Sequence, residues 1–442
     1  MTCHRAQRLP VHRGPAAWNS ILPPAPRFEN LSGSVTADFA IIGGGFAGLS
    51  AARRLTQLAP NSRIVLLEAG RIAEGAAGRN SGFMIDLPHE LTSSDYSGAG
   101  DDRTQITLNR RAIAFAKEAV QEFGVSADFF DPAGKVNGAA GNTAHTHNIS
   151  YAAHLNALGE AHEMLDARAM LELTGSRHYQ SGLYTPGTVM LQPAGYVRGL
   201  AKGLSRRISV HEDSPATAIA RTGSNWQITT PGGQVTAGTA ILATNGHLES
   251  FGFAKGRLMH LFLYASMTPE LEPGKIGGTS RWGITPSDPM GTTMRRIDTA
   301  QGGNRVVTRT CATMRSDMEA SAVDLARATR TQRAKFDVRF PQFAGLKPEY
   351  EWAGHLCLSL NGVSVTGALE PGLYSACVQN GLGTARGTLT GIAAAEMAFG
   401  TQSEITEHFK KERQADRLPP RPIRDIGANA VLRWKEWRAG AE

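Results

Sequence analysis

The chain has 442 residues, 41% hydrophobic and 19% charged, a globular composition long enough for two or three lobes. Its formal charge is +7, but the basic residues are scattered and form no stripe with aromatics, so a solvated basic surface is expected and no nucleic-acid interface. The 49 glycines follow no fixed period, which excludes collagen, and Cys3, Cys311, Cys357 and Cys377 lack metal-like spacing, so neither a metal site nor a disulfide framework is expected.

Residues 1–32 are rich in proline and aperiodic, and read as an arm over the surface. The run ADFAII (37–42) has strand character and breaks at Gly43-Gly44-Gly45. Ala47, Ala51, Ala52, Leu55 and Leu58 then recur at helical spacing, and RIVLL (63–67) is a second buried strand ending at Glu68. This βαβ opening starts a parallel sheet covered by helices. Helical spacing returns over 104–123 and 195–204, while 214–219, 226–229 and 239–243 read as strands, the last ending in Thr244-Asn245-Gly246. From 251 to 348, alternating runs such as RVVTR (305–309) accompany a charged helix near 320–336. A strand at 372–378 leads into QNGLGTARGTLTG (379–391), another glycine-rich turn opening a helix.

The expected fold class is α/β with an α+β second lobe. A Rossmann-like nucleotide domain is assembled discontinuously from 33–90, 190–250 and 350–400. An antiparallel-sheet substrate domain comes from 91–189 and 251–349, and 401–442 form a tail. No run approaches the ~20 apolar residues of a membrane span, so a cytoplasmic protein without a membrane partner is expected.

Gly43, Gly45 and Gly48 fit G-x-G-x-x-G. The first glycine permits the tight turn, the second lets a pyrophosphate approach the backbone, and the third lets helix and strand pack closely. Phosphates are favoured at such a helix N-terminus by free N–H groups and the dipole. Glu68, twenty residues after Gly48, is placed to accept a ribose hydroxyl, and its charge disfavours NADP. The motif alone leaves NAD and FAD open. AAGRNSGF (76–83) adds a cation at Arg79 and small residues that leave room for a flat ring. The turn at 379–391 then poses a choice between a second nucleotide and the far end of one long cofactor.

Together, IIGGGFAGLSAARRL, LLEAGRIAEGAAGRNSGFM, TAILATNG, and EWAGHL followed by LYSACVQNGLGTARGTLTGIAAAEM resemble the FAD-dependent D-amino-acid oxidase superfamily. That group includes glycine oxidase, sarcosine oxidase and γ-glutamylputrescine oxidoreductase. The likeness spans roughly residues 15–400 and is nearest to the last type, which also carries a tryptophan in its N-terminal arm, here Trp18. It implies one FAD, with pyrophosphate on the first turn and the isoalloxazine beside the last. Cofactor contacts are implied at Gly43, Gly45, Phe46, Ala47, Gly48, Glu68 and Ala69, and at Gly78, Arg79, Asn80, Ser81 and Gly82. Further contacts are implied at Ala218, Ala243, Thr244 and Gly246, and at Gly381, Leu382, Gly383 and Thr384.

The implied activity is oxidation of the C–N bond of a small secondary amine or N-substituted amino acid, of sarcosine, glycine or iminodiacetate type. A hydride equivalent passes to flavin N5, the imine hydrolyses, and O2 becomes H2O2. Because the amine donates when unprotonated, no general base is required. Substrate carboxylates need cations, and Arg309 is preferred over Arg295 and Arg296. Tyr264 and His260 are further pocket candidates, and Arg386 lies beside the last turn. Cys357 falls near the cysteine that sarcosine oxidase-like sequences attach to FAD. The γ-glutamylputrescine type has none there, so non-covalent FAD is expected. A γ-glutamylputrescine-type oxidase and a D-amino-acid dehydrogenase are alternatives within the fold. A flavin-binding module and an FAD-dependent RNA-modifying enzyme are alternatives outside it.

Overall fold

Both faces of the expected strand at 37–42 are apolar, and in the computed structural model, which describes residues 3–88, 102–288 and 290–442, it extends to Gly33–Ile42. It pairs in parallel with Ile64–Leu67 on one side and Gly233–Leu242 on the other. Ser209–His211 and Leu373–Cys377 flank this core, also in parallel. The first half of Gly233–Leu242 takes an antiparallel partner, Asn225–Thr229, followed by Ala218–Thr222 and Cys3–Arg5. With Val365–Glu370 these make a nine-stranded sheet.

Successive side chains of a strand point to opposite faces. Phe39, Ile41 and Leu66 therefore pack beneath the helices Phe46–Leu58, Pro193–Leu204 and Ala385–Phe399. Ala40, Ile42, Val65 and Leu67 join a separate core on the other face with Trp226, Ile228 and Leu248. Burial on both faces is why these strands read as unbroken apolar runs.

An eight-stranded sheet forms the second part. Its order is Tyr350–Ser359, Leu258–Met267, Arg305–Met314, Thr293–Ile297, Trp282–Pro286, Lys135–Ala139, Ser181–Thr185 and Glu163–Asp166. Only the pairing of Trp282–Pro286 with Lys135–Ala139 is parallel among the described residues. The charged helix, Ala322–Arg339, lies against this sheet through Ala328 and Phe336. A parallel α/β sheet beside a mainly antiparallel one matches the expected fold class.

Several expectations are corrected. The N-terminal arm is not merely laid over the surface: Cys3–Arg5 completes the first sheet, and Trp18 is wholly buried. The strand expected at 214–219 begins only at Ala218. Helices Asn142–Leu158 and Ala167–Thr174 were not foreseen, because His, Asn and Thr interrupt the apolar spacing of the first. The tail folds into Glu404–Lys411 and Ile423–Arg438. The division expected at residues 90 and 91 lies outside the described residues. Among the described residues no helix is long and apolar enough to cross a membrane.

Candidate cofactor and substrate site

The carboxyl ends of Gly33–Ile42, Ile64–Leu67 and Gly233–Leu242 open into one cavity of about 400 Å3, as expected for ligands of a parallel α/β sheet. Gly43 turns the chain there with φ of +112°, and Gly45 caps the helix that follows. Gly44 N–H donates to Glu68 Oε2 at 2.7 Å and Gly70 N–H to Glu68 Oε1 at 3.1 Å. Burial pushes the Glu68 carboxyl above its ordinary range, with those N–H groups opposing the shift. Gly43, Gly45, Phe46, Ala47, Glu68 and Ala69 all line the cavity. Gly48 does not; a Cβ there would fall 1.8 Å from Gly43 O, so it sets the approach of helix to turn.

Arg79, Asn80, Ser81 and Gly82 line the same space, and their turn is tied from several directions. Asn80 Oδ1 accepts from Gly82 N–H at 2.7 Å and its Nδ2 donates to Ala77 O at 2.6 Å. Trp18 Nε1 donates to Asn80 O, and Trp352 Nε1 to Arg79 O. The Arg79 guanidinium donates to the carbonyls of Glu74, Gly14, Arg13 and Ala353, and burial lowers its pKa to about 10. Gly78 is a packing glycine, since a Cβ there would fall 1.8 Å from Ala73 O.

Residues 381–384 line this cavity too, so the two glycine-rich turns face a single space. Three departures within four residues shape the second turn: Val378, Asn380 and Gly381 have φ of 64°, 48° and 85°. Positive φ at a β-branched valine is strained and needs surrounding structure to hold it. Thr384 supplies part of that, its hydroxyl donating to Phe83 O at 2.7 Å and joining the second turn to the Arg79–Phe83 segment.

In the middle of the chain Ala243 and Thr244 line the cavity, whereas Ala218 does not. Ala218 pairs with Arg5, and Pro215 and Ala216 hold the lining position instead. Gly246 is also set back; a Cβ would fall 2.6 Å from the His355 ring. Asn245 was overlooked. It lines the cavity, adopts φ of 47°, and its buried Oδ1 has no hydrogen-bond partner among the described residues. A strand ending in Thr-Asn-Gly is a signal for such a turn, since asparagine tolerates the left-handed region.

On the wall formed by the eight-stranded sheet, Arg309, Tyr264 and Thr293 border the cavity. The Arg309 guanidinium makes no hydrogen bond or ion pair among the described residues, and burial lowers its pKa. Tyr264 O–H donates to Thr313 Oγ1 at 3.1 Å, and burial raises its pKa to about 12, so it stays protonated.

The other arginine candidates are corrected. Arg295 is away from the cavity: it donates to the carbonyls of Leu191, Ser81 and Gly82 and lies over the Trp18 ring, bracing the Arg79–Gly82 turn from behind. Arg296 donates to Gly277 O, and Arg386 pairs with Glu412. A strand alternates faces, but the sequence does not say which face meets a ligand.

Four histidines gather beside the cavity, only one of them foreseen. His12, His247 and His355 line it; His260 is set behind, bonded to Glu249 at 2.6 Å and to His355 at 3.2 Å. Burial above all, then neighbouring cations and imidazoles, lowers His12 and His247 to about 4 and His355 further. The unfolded chain therefore takes up protons first as pH falls below 6.5, and folding stability drops between about pH 6.5 and 4. Denaturant midpoints at pH values across this window should fall with pH, and His247→Gln with His355→Gln should flatten the slope. An unchanged slope would contradict the neutral cluster.

The residues present suit a long dinucleotide: a phosphate turn, a ribose carboxylate, an orphaned amide oxygen and a second turn share one cavity. Comparison with known proteins agrees. The chain is similar to the probable oxidoreductase OrdL of Haemophilus influenzae, 22% identical over 392 residues that cover 87% of this chain and 86% of that one. It is 24% identical to the γ-glutamylputrescine oxidoreductase of Escherichia coli, over 84% of this chain and 86% of the relative. Its fold matches glycine oxidase from Geobacillus kaustophilus with a TM-score of 0.70 at 17% identity, covering 86% of this chain and all of that one. The family model for DAO, FAD dependent oxidoreductase, matches residues 38–397, and the chain belongs to this family of FAD-dependent oxidoreductases.

Proposed function

We propose that the protein oxidises the C–N bond of a small, carboxylated secondary amine or N-substituted amino acid, of sarcosine, glycine or iminodiacetate type, with O2 as acceptor and H2O2 as product. The observation that carries this reading is Arg309, a half-buried residue on the cavity wall whose guanidinium has no counter-charge among the described residues. Such a group suits a substrate carboxylate held bidentately. Bound FAD supplies the electron sink for the hydride equivalent removed from the carbon beside nitrogen.

The chain's own residues do the rest in this reading. Backbone N–H groups at 43–47 hold the pyrophosphate, and Glu68 holds a ribose hydroxyl. The helix start at Gly383 and Thr384, which lines the cavity, would offer N–H groups and a positive dipole end to charge that builds up on a reduced flavin. Arg309 and the wall around Tyr264 orient the substrate. The nine-stranded sheet serves FAD and the eight-stranded sheet the substrate.

FAD is proposed to be non-covalent. Cys357 lines the cavity, but burial holds its thiol well above the usual range, so it is protonated and a poor nucleophile. Acid precipitation should leave yellow colour in the supernatant; a yellow pellet overturns this point.

The reaction is tested by adding iminodiacetate, sarcosine or glycine anaerobically to the yellow holoprotein, with loss of flavin absorbance expected and peroxide on admitting air. If γ-glutamylputrescine bleaches it and no carboxylated secondary amine does, the substrate class is wrong. Bleaching without peroxide makes it a dehydrogenase.

A further inference from the structure

The helix Ile423–Arg438 is docked through its polar side and turns its apolar side outward. Its acids and amide cap the strand Arg305–Met314 beyond Arg309, where Thr293–Ile297 no longer runs alongside. Ala312 N–H donates to Glu436 at 2.8 Å, and Met314 N–H to Asn429 at 3.0 Å. Asn429 Nδ2 returns a bond to Met314 O, and Ser316 O–H donates to Asp425 at 2.6 Å. Arg327 pairs with Glu436 at 2.9 Å.

The opposite side carries Ile423, Ile426, Ala430, Val431, Trp434 and Trp437, all exposed, with Trp437 79% exposed. At 100° per residue they fall within about 140° of helix circumference and form one apolar stripe. No residue of this helix is fully buried. Helices of soluble proteins normally turn such a stripe to the core, and an exposed one marks a contact surface.

Charge decides what it contacts. Residues 410–438 hold nine Lys or Arg against four Asp or Glu. Asp425 and Glu436 among the acids are turned to the protein, where Arg421 and Arg424 join Asp425 by donating to Ser316, while Lys435 and Arg438 flank the stripe. A second copy of this stripe, parallel or antiparallel, would set these cations against their own kind. A negatively charged lipid surface would match them, with the stripe in the headgroup boundary and both tryptophans at the depth that suits their rings.

We infer that Ile423–Arg438 is a peripheral anchor that lays the protein on an anionic membrane surface. This departs from the expected lack of a membrane partner, which considered only spanning segments. It is independent of the substrate reading.

The test is cosedimentation of the flavin-loaded protein with phosphatidylcholine vesicles, with and without phosphatidylglycerol. Binding is expected only with the anionic lipid and should weaken with salt. Trp434→Ser with Trp437→Ser should reduce binding about tenfold or more while leaving flavin content and turnover unchanged, since both side chains lie outside the cavity. Brominated lipid should quench tryptophan emission of the unaltered protein, a readout that needs no variant. Absence of binding, or equal binding by the serine variant, overturns the inference. So does a dimer, by sedimentation equilibrium, that Trp437→Glu dissociates, because the stripe then belongs to a second copy.

Discussion

Arg309→Leu is expected to lower kcat/KM for a carboxylated amine by about 10²–10³-fold and to leave the protein at least as stable as before. Removing one partner of a buried ion pair costs about 3–5 kcal/mol, and each 1.4 kcal/mol is about tenfold. The pair exists only with substrate bound. In the free protein the half-buried Arg309 has no counter-ion among the described residues, and desolvation lowers its pKa. A leucine carries no charge and removes the desolvation penalty, so thermal unfolding of the substrate-free protein should not move downward. Arg309→Lys keeps the charge but loses the planar fork, and should fall between the two. An amine lacking a carboxylate should be turned over nearly as well by the variant as by the parent. Equal losses on both substrates would make Arg309 a structural residue and remove the main support for the substrate class.

The sequence was most legible where backbone geometry alone defines a function. Gly43, Gly45 and Glu68 reach the cavity because a strand, a tight turn, a helix and a second strand leave them no other place. Such order is local, and local order is visible in a string of letters. The second turn was recognisable as a turn, but its relation to the first depended on pairing Leu373–Cys377 with Gly233–Leu242, a contact across more than a hundred residues.

Side chains on the eight-stranded sheet were harder. Arg295 and Arg309 stand on neighbouring strands of similar composition, and one braces a turn while the other faces the cavity. Composition cannot separate them, because the difference lies in which face each strand presents. His12 was invisible for another reason. Its segment is aperiodic and is held at the cavity by distant partners: Cys3–Arg5 pairs with Ala218–Thr222, and Arg79 and Ala353 N–H donate to Arg13 O.

Gly391→Ala should damage both the fold and the fit of the cofactor. A Cβ at Gly391 would fall 2.2 Å from Ala47 O and 3.0 Å from Ala51 N, so backbone must yield. Overpacking of this kind costs about 1–3 kcal/mol. The contact joins the two helices that matter most. Phe46–Leu58 starts at the turn proposed to hold the phosphates, and Ala385–Phe399 starts at the turn proposed to lie beside the flavin ring. Forcing them apart changes the distance between the two turns that one cofactor is proposed to span, and a displacement of about 1 Å can cost about 10²-fold in function. Lower thermal stability of the FAD-free protein and a weaker FAD Kd are expected together. Gly383→Ala separates the two effects. It lines the cavity, and a Cβ there meets no protein atom within 4 Å. Stability without FAD should then be unchanged while FAD binding or turnover falls, if the flavin occupies that space as proposed. If Gly383→Ala leaves both flavin binding and turnover intact, residues 381–384 do not meet the ring, and the single-cofactor reading of the two turns fails.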